Sequence, residues 1–166
     1  MAERECGECG QCCKLIGVRE LEKAPHVWCR YYKRGKGCEV YESRPQGCAQ
    51  FACDWLLDVR LDDAWRPDRS GFVLHAGEGG RVINVELDPA QPMAWRRAPF
   101  ETVLRGWARD GAAEGMEVLI WVGRRCWRLD PRGGEISLGP VRPEIDFPAH
   151  GRGRRPGSGR DWPPKA

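Results

Sequence analysis

The sequence predicts an α+β fold in which an irregular, cysteine-rich N-terminal region packs on a small antiparallel sheet with one or two helices. Two observations favour this class. Eight of the nine cysteines fall before residue 54, whereas the β-prone segments and the clearest helical segment come after it. The 21 glycines and 13 prolines amount to about a fifth of the 166 residues. Such a composition shortens regular elements and excludes a helical bundle.

The second half carries the predicted strands and one predicted helix. Glycine-rich turns separate β-prone segments in a pattern typical of two hairpins and an edge strand. Between the hairpins, Pro99 opens a helix that has Gly111 beyond its end. The helix carries one apolar face, formed by Phe100, Val103, Leu104 and Trp107. The predicted strands are residues 70–76, 81–87, 116–122, 125–129 and 135–138.

Composition divides the chain into three predicted parts. A cysteine region spans residues 1–60, an α+β platform spans residues 61–148, and a basic tail spans residues 149–166. The tail contains 5 Lys and Arg residues but 1 acidic residue, so it carries the positive excess behind the net charge of +3. Because it has no periodic apolar residues to bury, we expect a disordered, solvated tail. Binding of a polyanion through its arginines is the alternative.

The sequence also predicts a cytoplasmic protein with no membrane partner. No run approaches the roughly 18 to 20 apolar residues of a membrane helix. Residues 1–6 contain no apolar stretch that could serve as a secretion signal. Cytoplasmic thiols are kept reduced, and clustered thiols there bind metal more often than they form disulfides. The cysteine pattern is therefore the main functional signal.

Eight cysteines are the candidate metal ligands, and eight is twice the number that one tetrathiolate site uses. The spacing Cys6-x2-Cys9-x2-Cys12 lets a tight loop turn three thiolates toward one point, as in zinc knuckles and iron–sulfur loops. Cys13 follows directly, and adjacent side chains project in different directions. We therefore expect Cys12 and Cys13 to serve two centres, or one of them to bridge the centres. The candidate ligands are Cys6, Cys9, Cys12, Cys13, Cys29, Cys38, Cys48 and Cys53.

Two of the later cysteines fall in a predicted hairpin. The β-prone residues 28–32 and 38–41 flank a turn-type segment at residues 33–37. This arrangement places Cys29 and Cys38 near the two strands, where their thiols could meet.

The last two candidate ligands fall in a predicted helix. A capping-box pattern at residues 43–46 predicts a helix from about residue 44 to residue 57. On a regular helix Cys48 and Cys53 lie about 140° apart, because five residues turn by about 100° each. They therefore feed different centres unless the helix starts late or is distorted.

Three alternatives to metal binding stay open for the cysteines. They are four disulfides, buried thiols acting as small apolar side chains, and a redox switch at the vicinal pair. His26 precedes Cys29 by three residues and is an additional ligand candidate, although a surface or partly buried histidine is favoured. We expect Cys126 and His75 to be strand residues outside the cluster, and His150 to belong to the tail.

The cysteine pattern and its flanking residues resemble the cysteine-cluster family with the pattern CxxCxxCC, which is described as zinc- or iron-chelating. The resemblance spans residues 6 to 57 and implies a chelating site without an assigned reaction. Some longer relatives with a similar cluster are described as protein lysine methylases that use S-adenosylmethionine; this chain is shorter and lacks a Gly-x-Gly-x-Gly loop. The matching segments are Cys6-x2-Cys9-x2-Cys12-Cys13, Trp28-Cys29, Gly37-Cys38-Glu39-Val40-Tyr41, Arg44-Pro45-x2-Cys48 and Phe51-x-Cys53-x-Trp55-Leu56.

We therefore expect a metal-binding protein in which the eight cysteines form one or two thiolate centres. Zinc is the favoured metal, with iron or an iron–sulfur cluster as the alternative. The sequence has no nucleophile elbow, zincin motif or phosphate loop, which favours a role other than catalysis and identifies no catalytic residue. An iron–sulfur redox or protein-methylating enzyme is the alternative function. A nucleic-acid-binding zinc module is the second alternative, disfavoured because basic residues are not concentrated around the cysteines.

Overall fold

The computed structural model describes residues 4–140, so the predicted tail at residues 149–166 lies outside the described residues. The helices are α1 (Gln11–Leu15), α2 (Gln46–Gln50), α3 (Asp54–Leu57), α4 (Pro67–Ser70) and α5 (Phe100–Gly111). The strands are β1 (Tyr32–Lys33), β2 (Gly37–Cys38), β3 (Phe72–Ala76), β4 (Val82–Leu87), β5 (Glu117–Val122), β6 (Arg125–Leu129) and β7 (Glu135–Pro140). Within residues 4–140, no helix is both long enough and apolar enough to cross a membrane. The class is α+β, as predicted.

The platform is built on a five-stranded sheet with the strand order β3-β4-β5-β6-β7. Both predicted hairpins, β3/β4 and β5/β6, are confirmed, and β7 adds the predicted edge strand next to β6. The expectation of a wholly antiparallel sheet is wrong, because β4 and β5 run parallel, with Ile83 opposite Val118. A parallel neighbour requires a crossover connection. Helix α5 lies between β4 and β5 in the chain and provides it.

An aromatic cluster joins α5 to the sheet. The ring of Trp65 lies 4.8 Å from Phe100 and 5.5 Å from Trp107, and Phe72 of β3 lies 5.1 Å from Phe100. Each such pair adds about 0.5–1.5 kcal/mol beyond the apolar area it buries. The apolar face predicted for α5 is confirmed, although Gly111 is the last residue of the helix and not the residue beyond it.

The cysteine region shares its core with the platform. Leu15 at the end of α1 and Trp55 of α3 belong to the same buried apolar cluster as the platform residues. Lys14 of α1 forms a 2.5 Å ion pair with the buried carboxylate of Asp88, which follows β4. The guanidinium of Arg4 donates hydrogen bonds to four main-chain carbonyls of residues 55–61 and lies over the Trp55 ring. These contacts join α1 and α3 to the platform and link the start of the cysteine region to its end.

The helix predicted over residues 44–57 is interrupted. Residues 51–53 separate α2 from α3, and the backbone of Phe51 and Cys53 is extended, with ψ of 130° and 155°. The predicted capping box is also wrong. The backbone N–H of Gly47 donates to the Glu20 carboxylate at 2.8 Å, so the cap comes from a residue 27 positions earlier. The interruption leaves Cys48 in α2 and Cys53 in the extended link before α3.

Candidate metal centre

Four short segments carry the eight candidate ligands. They are the turn and helix at residues 6–13, the β1/β2 hairpin with the residues before it, helix α2, and the extended link that follows α2. All nine cysteines are free thiols in the structure. The arrangement of these segments therefore decides which thiols are neighbours.

The first segment makes a tight turn that leads into α1. The N–H of Cys9 donates to the carbonyl of Cys6 at 3.1 Å, and the N–H of Cys13 donates to the carbonyl of Gly10 at 2.9 Å. Gly10 has a left-handed backbone with φ of 57°. A Cβ atom at this position would overlap the ring of Tyr32, so glycine permits the close approach of the hairpin.

The β1/β2 hairpin is shorter than predicted but packs directly against this turn. Only Tyr32–Lys33 and Gly37–Cys38 pair, so Cys38 lies on a strand, whereas Cys29 precedes β1 by three residues. The N–H of Cys29 donates to the carbonyl of Cys13 at 2.9 Å. This hydrogen bond brings the backbone of Cys29 directly beside α1.

We give the name Cys13 group to four thiols that are connected by electrostatic effects: Cys13, Cys29, Cys38 and Cys48. Burial, with smaller contributions from the thiols of Cys13, Cys29 and Cys38, raises the pKa of Cys48 to about 11. Burial also raises the pKa of Cys38, with a further contribution from Cys13 and Cys29. The group draws one cysteine from α1 and three from the later segments.

The other four thiols form the Cys6 group: Cys6, Cys9, Cys12 and Cys53. Burial, with smaller contributions from the Cys6 and Cys9 thiols, raises the pKa of Cys53 to about 12. Burial likewise raises the pKa of Cys9, again with a contribution from Cys6. The interrupted helix thus directs Cys48 and Cys53 to different groups.

Cys12 lies where the two groups meet. Its thiol is hydrogen-bonded to the sulfur atoms of both Cys13 and Cys6, and these contacts together with burial hold the pKa of Cys12 well above its usual range. The same hydrogen bond lowers the pKa of Cys6 to about 7, assisted by the positive charges of Arg44 and Arg66. The vicinal pair is therefore inequivalent in its surroundings.

The donors suit a thiophilic metal in their chemistry but do not converge at one point. Thiolates favour zinc and iron–sulfur clusters over magnesium or calcium. Among residues 4–140, however, no three Cys, His, Asp or Glu side chains meet in a preformed metal site. Zinc–sulfur bonds are about 2.3 Å long, so ligation requires each group to contract around the ion.

The structure also shows the positions of Cys126, His75 and His26, which the sequence analysis considered alongside the eight candidate ligands. Cys126 lies in β6, is fully buried, and has its pKa raised to about 12 by burial, so the prediction of a strand cysteine is confirmed. His75 lies in β3 with its ring 5.6 Å from Phe51. The Nδ1 atom of His26 is buried without a hydrogen-bond partner among the described residues, and His26 stays an additional ligand candidate.

Sequence reasoning missed the cations near the thiols. Lys23 lies near the Cys13 group, and Arg44 and Arg66 lie near Cys6. Arg44 is part of the Arg44-Pro45-x2-Cys48 segment, but no local pattern distinguishes Lys23 or Arg66 from other basic residues. Comparison of the chain with protein-family models, curated proteins and solved structures gives no match.

Proposed function

We propose that the protein binds two metal ions through its eight N-terminal cysteines, four to each centre. The Cys6 group would hold one ion and the Cys13 group the other. The observations that support the proposal are eight free thiols in one region and the electrostatic effects of Cys13 and Cys29 on Cys48 and of Cys6 and Cys9 on Cys53. The resemblance to the cysteine-cluster family supports the same function. Zinc is the favoured metal, and iron or an iron–sulfur cluster is the alternative.

The chemistry of the donors explains why this function suits the region. A closed tetrathiolate zinc site cross-links the chain and contributes on the order of 10 kcal/mol of folding free energy. The cysteine region consists of helices of five residues or fewer and a hairpin with two residues in each strand. Elements this short are marginal alone, so a metal cross-link would add to the stability that packing on the platform supplies. A structural or metal-handling role requires no substrate pocket.

Metal analysis and native mass spectrometry of protein purified under reducing conditions test the proposal. Two ions per chain are expected, and a colourless protein would identify zinc. Eight thiolates and two zinc ions would take the formal charge from +3 to −1, whereas four disulfides would leave it at +3. Brown iron–sulfur absorption would favour the redox or methylating enzyme. One ion with four readily alkylated thiols, or no ion, would contradict the proposal.

The division into two centres has its own test. Cys12→Ser should empty the Cys6 group and keep the other ion, and Cys13→Ser should empty the Cys13 group. Loss of one thiolate leaves three protein ligands and an open position, which weakens metal affinity. Cys126→Ser is the matched control and should retain both ions. If either α1 variant loses all metal, a single bridged cluster would replace the two centres.

A further inference from the structure

The β1/β2 hairpin carries a concentrated positive charge. Residues 28–38 contain four basic residues and no acidic residue, whereas the rest of residues 1–60 contains six basic and nine acidic residues. The excess of positive charge is therefore a local property of the hairpin and not of the whole region. The four basic residues are all exposed: Arg30, Lys33, Arg34 and Lys36.

A tight turn brings three of these cations together at the tip of the hairpin. The N–H of Lys36 donates to the carbonyl of Lys33 at 3.0 Å, and Gly35 has a left-handed backbone with φ of 75°. The first and last Cα atoms of a four-residue turn lie within about 7 Å of each other, and Arg34 lies between them in the chain. Lys33 has an acidic neighbour, Glu39, at 3.9 Å, but both side chains of that pair are about half exposed. Such an ion pair is weak, so the tip keeps its positive charge.

Aromatic rings lie at the base of the same hairpin. The ring of Trp28 is stacked on the ring of Tyr32, with 4.4 Å between the centroids and 14° between the planes. The close approach of Tyr32 to Gly10 holds this stack against the cysteine turn. The ammonium of Lys14 lies 5.6 Å from the Trp28 centroid and is paired with Asp88. Trp28 nevertheless remains 46% exposed, so the hairpin presents a fixed aromatic surface beside its cations.

We propose that this hairpin binds single-stranded nucleic acid, with its four basic side chains on phosphates and Trp28 against an unpaired base. The inference goes beyond the proposed metal site, since none of these side chains is a thiol. Basic side chains neutralise phosphates of any sequence, and aromatic rings stack on any base. Bases inside a duplex are already stacked on one another, which favours a single strand. A hairpin that inserted into a membrane would carry apolar side chains at its tip, whereas this tip is Lys33-Arg34-Gly35-Lys36.

Binding of the whole chain to a short fluorescent single-stranded RNA of mixed sequence, measured by anisotropy at several salt concentrations, tests the role of the cations. Arg34→Gln combined with Lys36→Gln removes two phosphate contacts, so the slope of log affinity against log salt should become shallower by about 1.4. Over a tenfold dilution of salt, the variant should therefore gain about 25-fold less affinity than the wild-type chain. Arg124→Gln combined with Arg125→Gln is the matched control, because it removes the same charge from exposed residues of the β5/β6 hairpin. The control should keep the wild-type slope.

A second pair of variants tests the role of the aromatic ring. Trp28→Ala should weaken binding by about tenfold without changing the salt slope, because it removes a stacking surface and no charge. Trp28→Phe keeps an aromatic ring and should retain most of the affinity, with circular dichroism confirming that both variants are folded. Duplex RNA of the same length should bind more weakly than the single strand.

Four results would overturn the proposal. They are no binding of RNA by the wild-type chain, a wild-type slope in the Arg34 and Lys36 variant, equal or tighter binding of the duplex, and hairpin-dependent binding of phosphatidylserine vesicles in place of RNA. RNA binding with a wild-type slope in that variant would assign the binding to other basic residues, such as those at 149–166. The metal content of the protein is measured separately, so failure of this proposal leaves the proposed metal site standing.

Discussion

Replacement of Gly37 by alanine should detach the hairpin from the cysteine turn. Gly37 has a left-handed backbone with φ of 84°. A Cβ atom there would overlap the carbonyl oxygen of Gly7 and lie 3.1 Å from its carbonyl carbon and 3.6 Å from the Cα of Glu8. These neighbours are main-chain atoms and cannot rotate away, so the hairpin that carries Cys38 must move.

A matched variant separates the two contributions to the loss of stability. Gly35 lies in the same turn with φ of 75°, but a Cβ atom there would have no neighbour within 4 Å. Gly35→Ala should therefore cost only the left-handed backbone penalty, about 1–2 kcal/mol. Gly37→Ala should add the cost of overpacking, about 1–3 kcal/mol, and so should destabilise the region by about 2–5 kcal/mol.

Urea denaturation, monitored by circular dichroism, would measure the loss of stability in both variants. The alkylation rate of each cysteine would show which part of the region is affected. Cys38 should react faster in Gly37→Ala than in Gly35→Ala, because only the first variant moves β2 away from the turn. Equal losses of stability and equal alkylation rates in the two variants would refute the close approach of the hairpin to residues 6–9.

Three further predictions concern the platform and the metal. The hydrogen bond from Arg105 lowers the pKa of Glu135, so this interaction stabilises the fold at neutral pH and is lost as pH falls through the lowered value. Glu135→Gln should cost on the order of 1 kcal/mol at pH 7 in urea titrations, and the cost should decrease as the pH is lowered below the ordinary glutamate range. Asp88→Asn weakens the pair with Lys14 and should cost about 1.5–3 kcal/mol in the same assay. Exhaustive chelation under reducing conditions should remove amide protection from residues 6–57 while β3–β7 stay protected; unchanged protection would refute a structural metal.

Local patterns were sufficient to predict most of the platform. Apolar, β-prone segments separated by glycine-containing turns predicted both hairpins, and the structure contains both. The spacing of Phe100, Leu104 and Trp107 predicted the buried face of α5. The parallel pairing of β4 with β5 was missed because it depends on where α5 returns the chain, which no single segment encodes. The parallel pairing is consistent with the order strand, helix, strand, because parallel strands need a crossover connection. That order was present in the predicted elements.

The cysteine region was predicted less completely because its geometry depends on distant contacts. The spacing of residues 6–13 indicates that Cys12 and Cys13 serve different centres, and this stays a prediction. The carboxylate of Glu20 caps the N-terminus of α2, and the position of the hairpin against residues 7–10 depends on Gly10 and Gly37. Each of these is a contact between segments that are far apart in the sequence, so a pattern within one segment could not reveal it.

The contacts that hold the thiols near one another do not themselves involve a metal. The hydrogen bond from Cys29 to Cys13, the ion pair of Lys14 with Asp88 and the apolar side chain of Leu15 all connect α1 to its surroundings. Such contacts hold the cysteine segments together and, under the proposed function, would reduce the conformational entropy that metal binding must overcome. No three donors converge within the described residues. A metal ion bound as proposed would therefore have to draw its ligands closer together.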